Sequence, residues 1–182
     1  PTNILSATAW TTPAAIAAGF GLSTFATGFP TATISSETAG PFGITFTDSG
    51  GVMVADFPGN VRVFPTDVDG QVAASAPVGG FYAFDNALGL ERIRANPQGP
   101  SKYYMAQTAA GKVVQLNADG SFTQDVVPVP STGMVADPVN GHLLVTGQVS
   151  GSLGIADIDP AAKTSRTVVS GLNQDDGIAV SP

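Results

Sequence analysis

The chain contains no cysteine. That absence excludes a disulfide framework, a thiolate zinc site and a cysteine nucleophile. Charge is scarce as well: 12% of residues are charged, and Lys and Arg together number seven. Those seven are scattered, so there is no basic stripe to displace counterions from nucleic acid or to hold an anionic membrane surface. No run of about 18 apolar residues occurs, which leaves no candidate for a membrane-spanning helix. Histidine occurs once, as His142 in the turn "VNGHLLV", and a lone imidazole cannot build a histidine metal cluster. A serine-based triad has no nucleophile elbow of the form GxSxG to start from. His142 reads as a surface turn residue.

What is present is turn-rich and apolar. The 182 residues suffice for one domain or a short repeat array. Hydrophobic residues make up 43%, which argues against global disorder. The 22 Gly and 14 Pro, set among many Val, Ile, Thr and Phe, read as short strands joined by tight turns. The Ala-rich stretch Thr11–Leu22 contains a Pro and two Gly, so a helix there is short. The net charge is −7 and the isoelectric point about 4.3. The chain opens at Pro1 with no initiator Met and no visible signal peptide, which fits a processed or trimmed chain. A composition rich in Ser, Thr, Asn, Gly and Asp and poor in Lys favours export, to a bacterial extracellular setting.

A period organises the strands. A Gly followed by an apolar residue opens similar stretches at Gly43, Gly89, Gly133 and Gly177, with spacings of 46, 44 and 44 residues. After each of the first three come a turn and a second strand ("GGVMVADF", "SKYYMAQT", "GHLLVTGQ"). A third follows ("GNVRVFPT", "GKVVQLNADG", "SLGIADID"). A fourth, more polar strand closes the unit ("QVAASAPV", "SFTQDVVPV", "TSRTVVSGL"). Four antiparallel strands in about 45 residues is the arithmetic of a propeller blade. A β-sandwich also shows short strands at close spacing, but it does not require a repeated Gly-apolar start. The expectation is an all-β, single domain over residues 1–182. It is a β-propeller of four-stranded antiparallel blades, with about four blades or as a fragment of a larger ring. Residues 1–40 are irregular or complete a blade with the last strand. That last strand has a further option, insertion into a neighbouring chain to build a fibre.

The stretch "PFGITFTDSGGVMVADFPGNVRVFPTDVDG" resembles an NHL-type propeller repeat. The matching residues are Pro41, Gly43, Ile44, Gly51, Val54, Ala55, Asp56, Asn60, Val61, Val63, Phe64, Asp69 and Gly70. The C-terminal "DDGIAVSP" resembles the blade start of gluconolactonase/regucalcin-like propellers. Both families usually have six blades, which is more than this length accommodates. In the gluconolactonase-like enzymes the blade-start Asn is a metal ligand, and Asp176 occupies the matching position here. The resemblance therefore implies a calcium or other divalent site at Asn173 and Asp176, with Asp85 and Asn86 converging from another blade start. The family's metal-binding Glu has no counterpart.

Other candidates come from the residues themselves. "ERIR" places Arg92 and Arg94 on one face of an inner strand and Glu91 on the other. They form either an ion pair, across the channel or to a neighbouring blade, or a pocket for an acidic or sugar ligand. Tyr82, in the aromatic stretch "GGFYAFDN", either stacks on a sugar ring or partner side chain or belongs to the core between blades. The twelve Asp against two Glu suit turns, and Asp67–Gly70 reads as a turn between third and fourth strands. The functional expectation is a non-catalytic binding or structural module with a protein, glycan or self partner. A metal-dependent lactonase and an extracellular filament subunit are the alternatives. The ligand-binding candidates are Tyr82, Asp85, Asn86, Arg92 and Arg94.

Overall fold

The computed structural model describes residues 12–34, 37–94, 99–173 and 177–180. One helical turn and a small hairpin precede the main sheets. Helix α1 (Pro13–Ala17) starts at Thr12, whose Oγ1 accepts a hydrogen bond from the Ala15 N–H at 3.2 Å, with Pro13 in the first turn. Strand β1 (Ala26–Thr27) follows, then β2 (Ala32–Ile34) paired antiparallel with β3 (Glu37–Ala39).

Three four-stranded antiparallel sheets form the body. The first contains β4 (Pro41–Phe46), β5 (Val52–Asp56) and β6 (Asn60–Phe64). After β7 (Gln71–Val72), which lies outside this sheet, β8 (Val78–Phe81) completes it. The second runs β9 (Leu90–Ile93), β10 (Lys102–Gln107), β11 (Lys112–Leu116) and β12 (Phe122–Val127). The third runs β13 (Ser131–Ala136), β14 (Leu143–Val149), β15 (Ser152–Asp159) and β16 (Thr164–Ser170). Each sheet is a meander in chain order, as a blade requires. Among the described residues, 177–180 lie in no strand, and no helix is long and apolar enough to cross a membrane.

The sheets stack because their middle strands are apolar on both faces. Side chains alternate along a strand, and the alternation divides cleanly here. Met53, Ala55 and Val61 of the first blade pack against Leu90, Tyr103 and Met105 of the second. Tyr104 and Ala106 turn the other way and pack with Met134, Leu143, Val145, Ala156 and Ile158 of the third. On the far side of the first blade, Val52, Val54 and Phe64 pack under Phe25 and Phe29, whose rings meet Phe64 edge-on at 5.1 and 5.9 Å.

At two of the periodic glycines, Gly43 and Gly89, neighbouring inner strands touch backbone to backbone. A Cβ at Gly43 would overlap the Leu88 carbonyl, and one at Gly89 would come within 2.6 Å of the Thr132 carbonyl. The Gly89 N–H donates to that Thr132 carbonyl at 3.0 Å, linking the second blade to the third. Asp56, 1% exposed, locks the β5–β6 turn: its Oδ1 accepts from the Gly59 and Asn60 N–H groups at 3.1 and 2.8 Å. The Asp and Asn of the "ADFPGN" pattern are thus turn architecture.

One strand differs from the sequence expectation. The outer strand of the first blade is Val78–Phe81, not the segment beginning at Gln71. Gln71 and Val72 pair in parallel with Ala26 and Thr27, and a 3-10 turn over Ala73–Ser75 follows. The physical reason lies in the next blade. Its 117–120 turn rests on Gly79, where a Cβ would overlap the Asp119 carbonyl. Only a glycine strand admits so close an approach. Residues 25–29 likewise serve as a cover on the first blade.

Candidate functional site

A cleft of about 690 Å³ opens between the second and third blades. One wall is the end of β9 and the start of β10, with Arg92, Arg94, Lys102 and Tyr104. The other is the loop from Ala136 to His142 and the turn at Asp159–Ala161. Three of the chain's seven Lys and Arg residues, and its single His, are therefore among the residues that line one cavity.

The cationic wall is anchored by Asp48, from the β4–β5 turn of the first blade. Arg94 donates to Asp48 Oδ1 at 2.8 Å, and Arg92 sits 3.7 Å from the same oxygen. Ser101 donates to this carboxylate twice, from Oγ at 2.6 Å and from its N–H at 2.7 Å. The Asp48 N–H in turn donates to the Tyr103 hydroxyl at 3.0 Å. Hydrogen bonds from the Ser101 hydroxyl, the Ser101 N–H and Arg94 hold the Asp48 carboxyl well below the usual carboxylate range. Arg94 and Arg92 remain 45% and 35% exposed at the side chain. Lys102 is exposed and has no polar partner among the described residues.

A second charge network lies on the third blade beyond the cleft lining, where Asp157 sits opposite Leu144 in the β14–β15 register. His142 Nδ1 lies 2.8 Å from Asp157 Oδ1, while Arg166 donates to Oδ2 from Nε at 2.9 Å and from its terminal nitrogen at 2.6 Å. Burial works to raise the Asp157 pKa, but the bonds from Arg166 and His142 outweigh it and hold the carboxyl below its ordinary value. Asp159 accepts from the Ala161 and Ala162 N–H groups at 2.9 Å each; the Ala162 bond leads in lowering its pKa. Its Oδ2 lies 3.7 Å from His142 Nε2. Tyr104, at the base, is pushed up to about 12 by burial and by the Asp159 charge. His142 does sit in a turn, yet its ring folds back onto Asp157.

The sequence candidates separate into two groups. Arg92 and Arg94 line the cleft. Tyr82, Asp85 and Asn86 precede β9, at its opposite end; Tyr82 and Asp85 make contacts between the first and second blades, and Asn86 bonds the β10–β11 turn of the second. The Tyr82 hydroxyl donates to the Gly120 carbonyl at 2.7 Å, and burial, helped by Asp119, pushes its pKa up to about 12. Asn86 Oδ1 accepts from the Ala110 N–H at 2.7 Å. Asp85, with φ of 61°, donates its N–H to Phe57 O at 3.1 Å, and burial raises its carboxyl pKa. Of the metal candidates, Asn173 is exposed and Asp176 lies outside the described residues. Among the described residues, no three His, Asp or Glu side chains converge to hold a metal ion.

Sequence reasoning missed Asp48, Ser101, Lys102 and the His142–Asp157–Arg166 network. For Asp48 a signal exists. It lies 46 residues before Arg94, the same interval as Gly43 to Gly89. Equivalent ends of neighbouring inner strands lie side by side, so a carboxylate in one repeat and a guanidinium in the next meet.

No protein-family model matches the chain, and no curated protein matches it in sequence. Solved structures do. The nidogen/laminin complex structure contains a chain similar to it, with a TM-score of 0.57 and 13% identity, over 77% of this chain and 57% of that one. A catalytically inactive virginiamycin B lyase from Staphylococcus aureus gives 0.47 and 16%, over 82% and 48%. A glucose dehydrogenase-like putative oxidoreductase from Thermus thermophilus gives 0.44 and 20%, over 73% and 47%. The chain spans about half the length of these solved chains, all of them β-propeller-like. Its stacked four-stranded blades and its likeness to the first of these structures place the chain in the β-propeller fold.

Proposed function

We propose that this propeller is a binding module whose cleft between the second and third blades takes an acidic glycan. The observation that carries the reading is the gathering of Arg92, Arg94 and Lys102 on one wall of a 690 Å³ cleft in a chain of net charge −7. Cations concentrated against the sign of the whole chain serve a local purpose. Guanidinium groups bind carboxylates through paired hydrogen bonds, and an unpaired ammonium adds a mobile point charge. Across the cleft, Asp137, Asp159 and the backbone of the 137–141 loop offer acceptors suited to sugar hydroxyls. A carboxylated sugar presents both kinds of group at once.

Export to an extracellular, bacterial setting goes with this reading and is supported by the composition, rich in Ser, Thr, Asn, Gly and Asp and poor in Lys. The pattern from Pro41 to Gly70 supports an NHL-type origin for the repeats. The lactonase alternative would need Asn173 and Asp176 to meet Asp85 and Asn86 around a divalent ion such as calcium. Calorimetric calcium titration tests it, and strong saturable binding would revive it.

The test of the cleft is a heteronuclear NMR titration with oligogalacturonate. Shifts should concentrate at residues 92–94, 101–104, 137–142 and 159–161. Shifts confined to the opposite end of β9, around Tyr82 to Asn86, or none at saturating sugar, would refute the assignment.

A further inference from the structure

The loop between β13 and β14 forms part of the cleft wall and contains the dipeptide Asn140–Gly141. The chain has seven Asn, and this one alone precedes a Gly. That pair has a chemistry of its own. The backbone nitrogen after an Asn can attack the side-chain amide carbon and close a five-membered ring. A Cβ on the attacking residue obstructs that approach, and glycine has none.

The structure leaves this Asn open to the reaction. Asn140 is exposed and its neighbour Val139 is 90% exposed, so water and hydroxide reach the loop tip. Gly141 has φ of 73°, and the nearest atom to the place of its missing Cβ is Ile93 Cγ2, at 3.8 Å on the second blade. The loop therefore has room to move at the junction of the two blades. The His142 N–H donates to Asn140 Oδ1 at 2.8 Å. That bond polarises the amide and supports the negative charge that attack places on the oxygen. The attacking nitrogen is held by one bond, from the Gly141 N–H to the Asp137 carbonyl at 3.0 Å. In an exposed loop such a bond opens by local fluctuation.

We infer that Asn140 is a self-modification site, where the folded chain converts a neutral residue of the cleft wall into a carboxylate. Gly141 N gives its proton to hydroxide and bonds to Asn140 Cγ. The Cγ–Nδ2 bond breaks, and the nitrogen leaves as ammonia with a proton taken from water. Water then opens the succinimide at either carbonyl, giving aspartate or isoaspartate. With ammonia lost to solvent, the step runs one way. Either product adds a negative charge across from Arg92, Arg94 and Lys102. The chemistry is independent of what the cleft binds; its effect on a ligand rests on the acidic-glycan reading.

Peptide mapping by mass spectrometry tests it on the native 182-residue chain, incubated at neutral and at mildly alkaline pH. The mass gain of an amide-to-acid exchange should appear at residue 140 at least about tenfold faster than at any other Asn. It should be faster at the higher pH, with isoaspartate among the products. Gly141→Ala should slow it at least about tenfold. Circular dichroism reports whether that variant keeps its fold; Asn140→Gln, which needs a larger ring, is the second variant and should react far more slowly. A folded chain that stays intact at residue 140 while the urea-unfolded chain reacts overturns the proposal, because the turn then protects the amide. So does aspartate without isoaspartate, which means direct hydrolysis. For the consequence, Asn140→Asp should weaken oligogalacturonate binding at least about threefold. Equal affinity refutes an effect on the cleft. No binding by the wild type refutes the glycan reading and this consequence with it, while the modification is decided by the mass readout.

Discussion

Gly43 shows how one residue sets the spacing of two blades. A Cβ there would run into the Leu88 backbone, which cannot swing aside as a side chain can. Gly43→Ala should therefore destabilise the chain by about 1–3 kcal/mol, the usual cost of overpacking. Gly21→Ala has open space around it and no left-handed backbone, so it should leave the unfolding free energy from urea titration within about 0.5 kcal/mol of wild type. Equal effects from the two would mean the inner strands are not in contact. Asp48 acts through charge instead. Its carboxyl pKa is lowered in the folded chain, so its contribution is fully present above the ordinary value of 3.8 and fades as pH falls through the lower folded value. The stability gap between wild type and Asp48→Asn should be flat at neutral pH and narrow in acid. Urea unfolding across a pH series would show it; a gap that widens in acid contradicts the Ser101 and Arg94 bonds.

At the level of elements, legibility follows from how local the determinants are. Strands β5, β10 and β14 are apolar on both faces, so "VMVAD", "YYMAQ" and "LLVTG" announce themselves. Their inner-strand neighbours carry the glycine that close approach demands. The outer strand of the first blade was not legible, because its fate depends on the next blade's turn. "VGGF" has weak strand propensity, and "QV" reads better alone, yet Gly79 is what lets the 117–120 turn lie on the sheet, while a Cβ at Gly80 would meet the Tyr82 ring. Tyr82, just beyond this strand, ties the same two blades through Gly120. Tyr82→Phe should lower stability by about 1 kcal/mol, the net worth of a lost hydrogen bond. No change in the unfolding midpoint would show that the phenol contributes no tie. In the site, Arg92 and Arg94 were readable as unusual charges in an apolar strand. Asp48 and the Asp157 network were not, because each partner comes from another blade or another strand. Only the repeat interval links Asp48 to Arg94.

For the whole molecule, the organisation is an arc of stacked blades with a cation-lined cleft where the second meets the third. Sparse charge makes the cleft stand out: three of the seven Lys and Arg residues are among those that line it. Binding there should weaken with salt, because Lys102 and Arg94 are exposed. The most direct measurement is the affinity of oligogalacturonate for wild type and for Arg94→Ala/Lys102→Ala, by calorimetry at low and at physiological salt. The account predicts saturable binding that weakens at least about tenfold in the double variant and that weakens with salt in the wild type. An unchanged affinity in the double variant, with its fold intact, would contradict it.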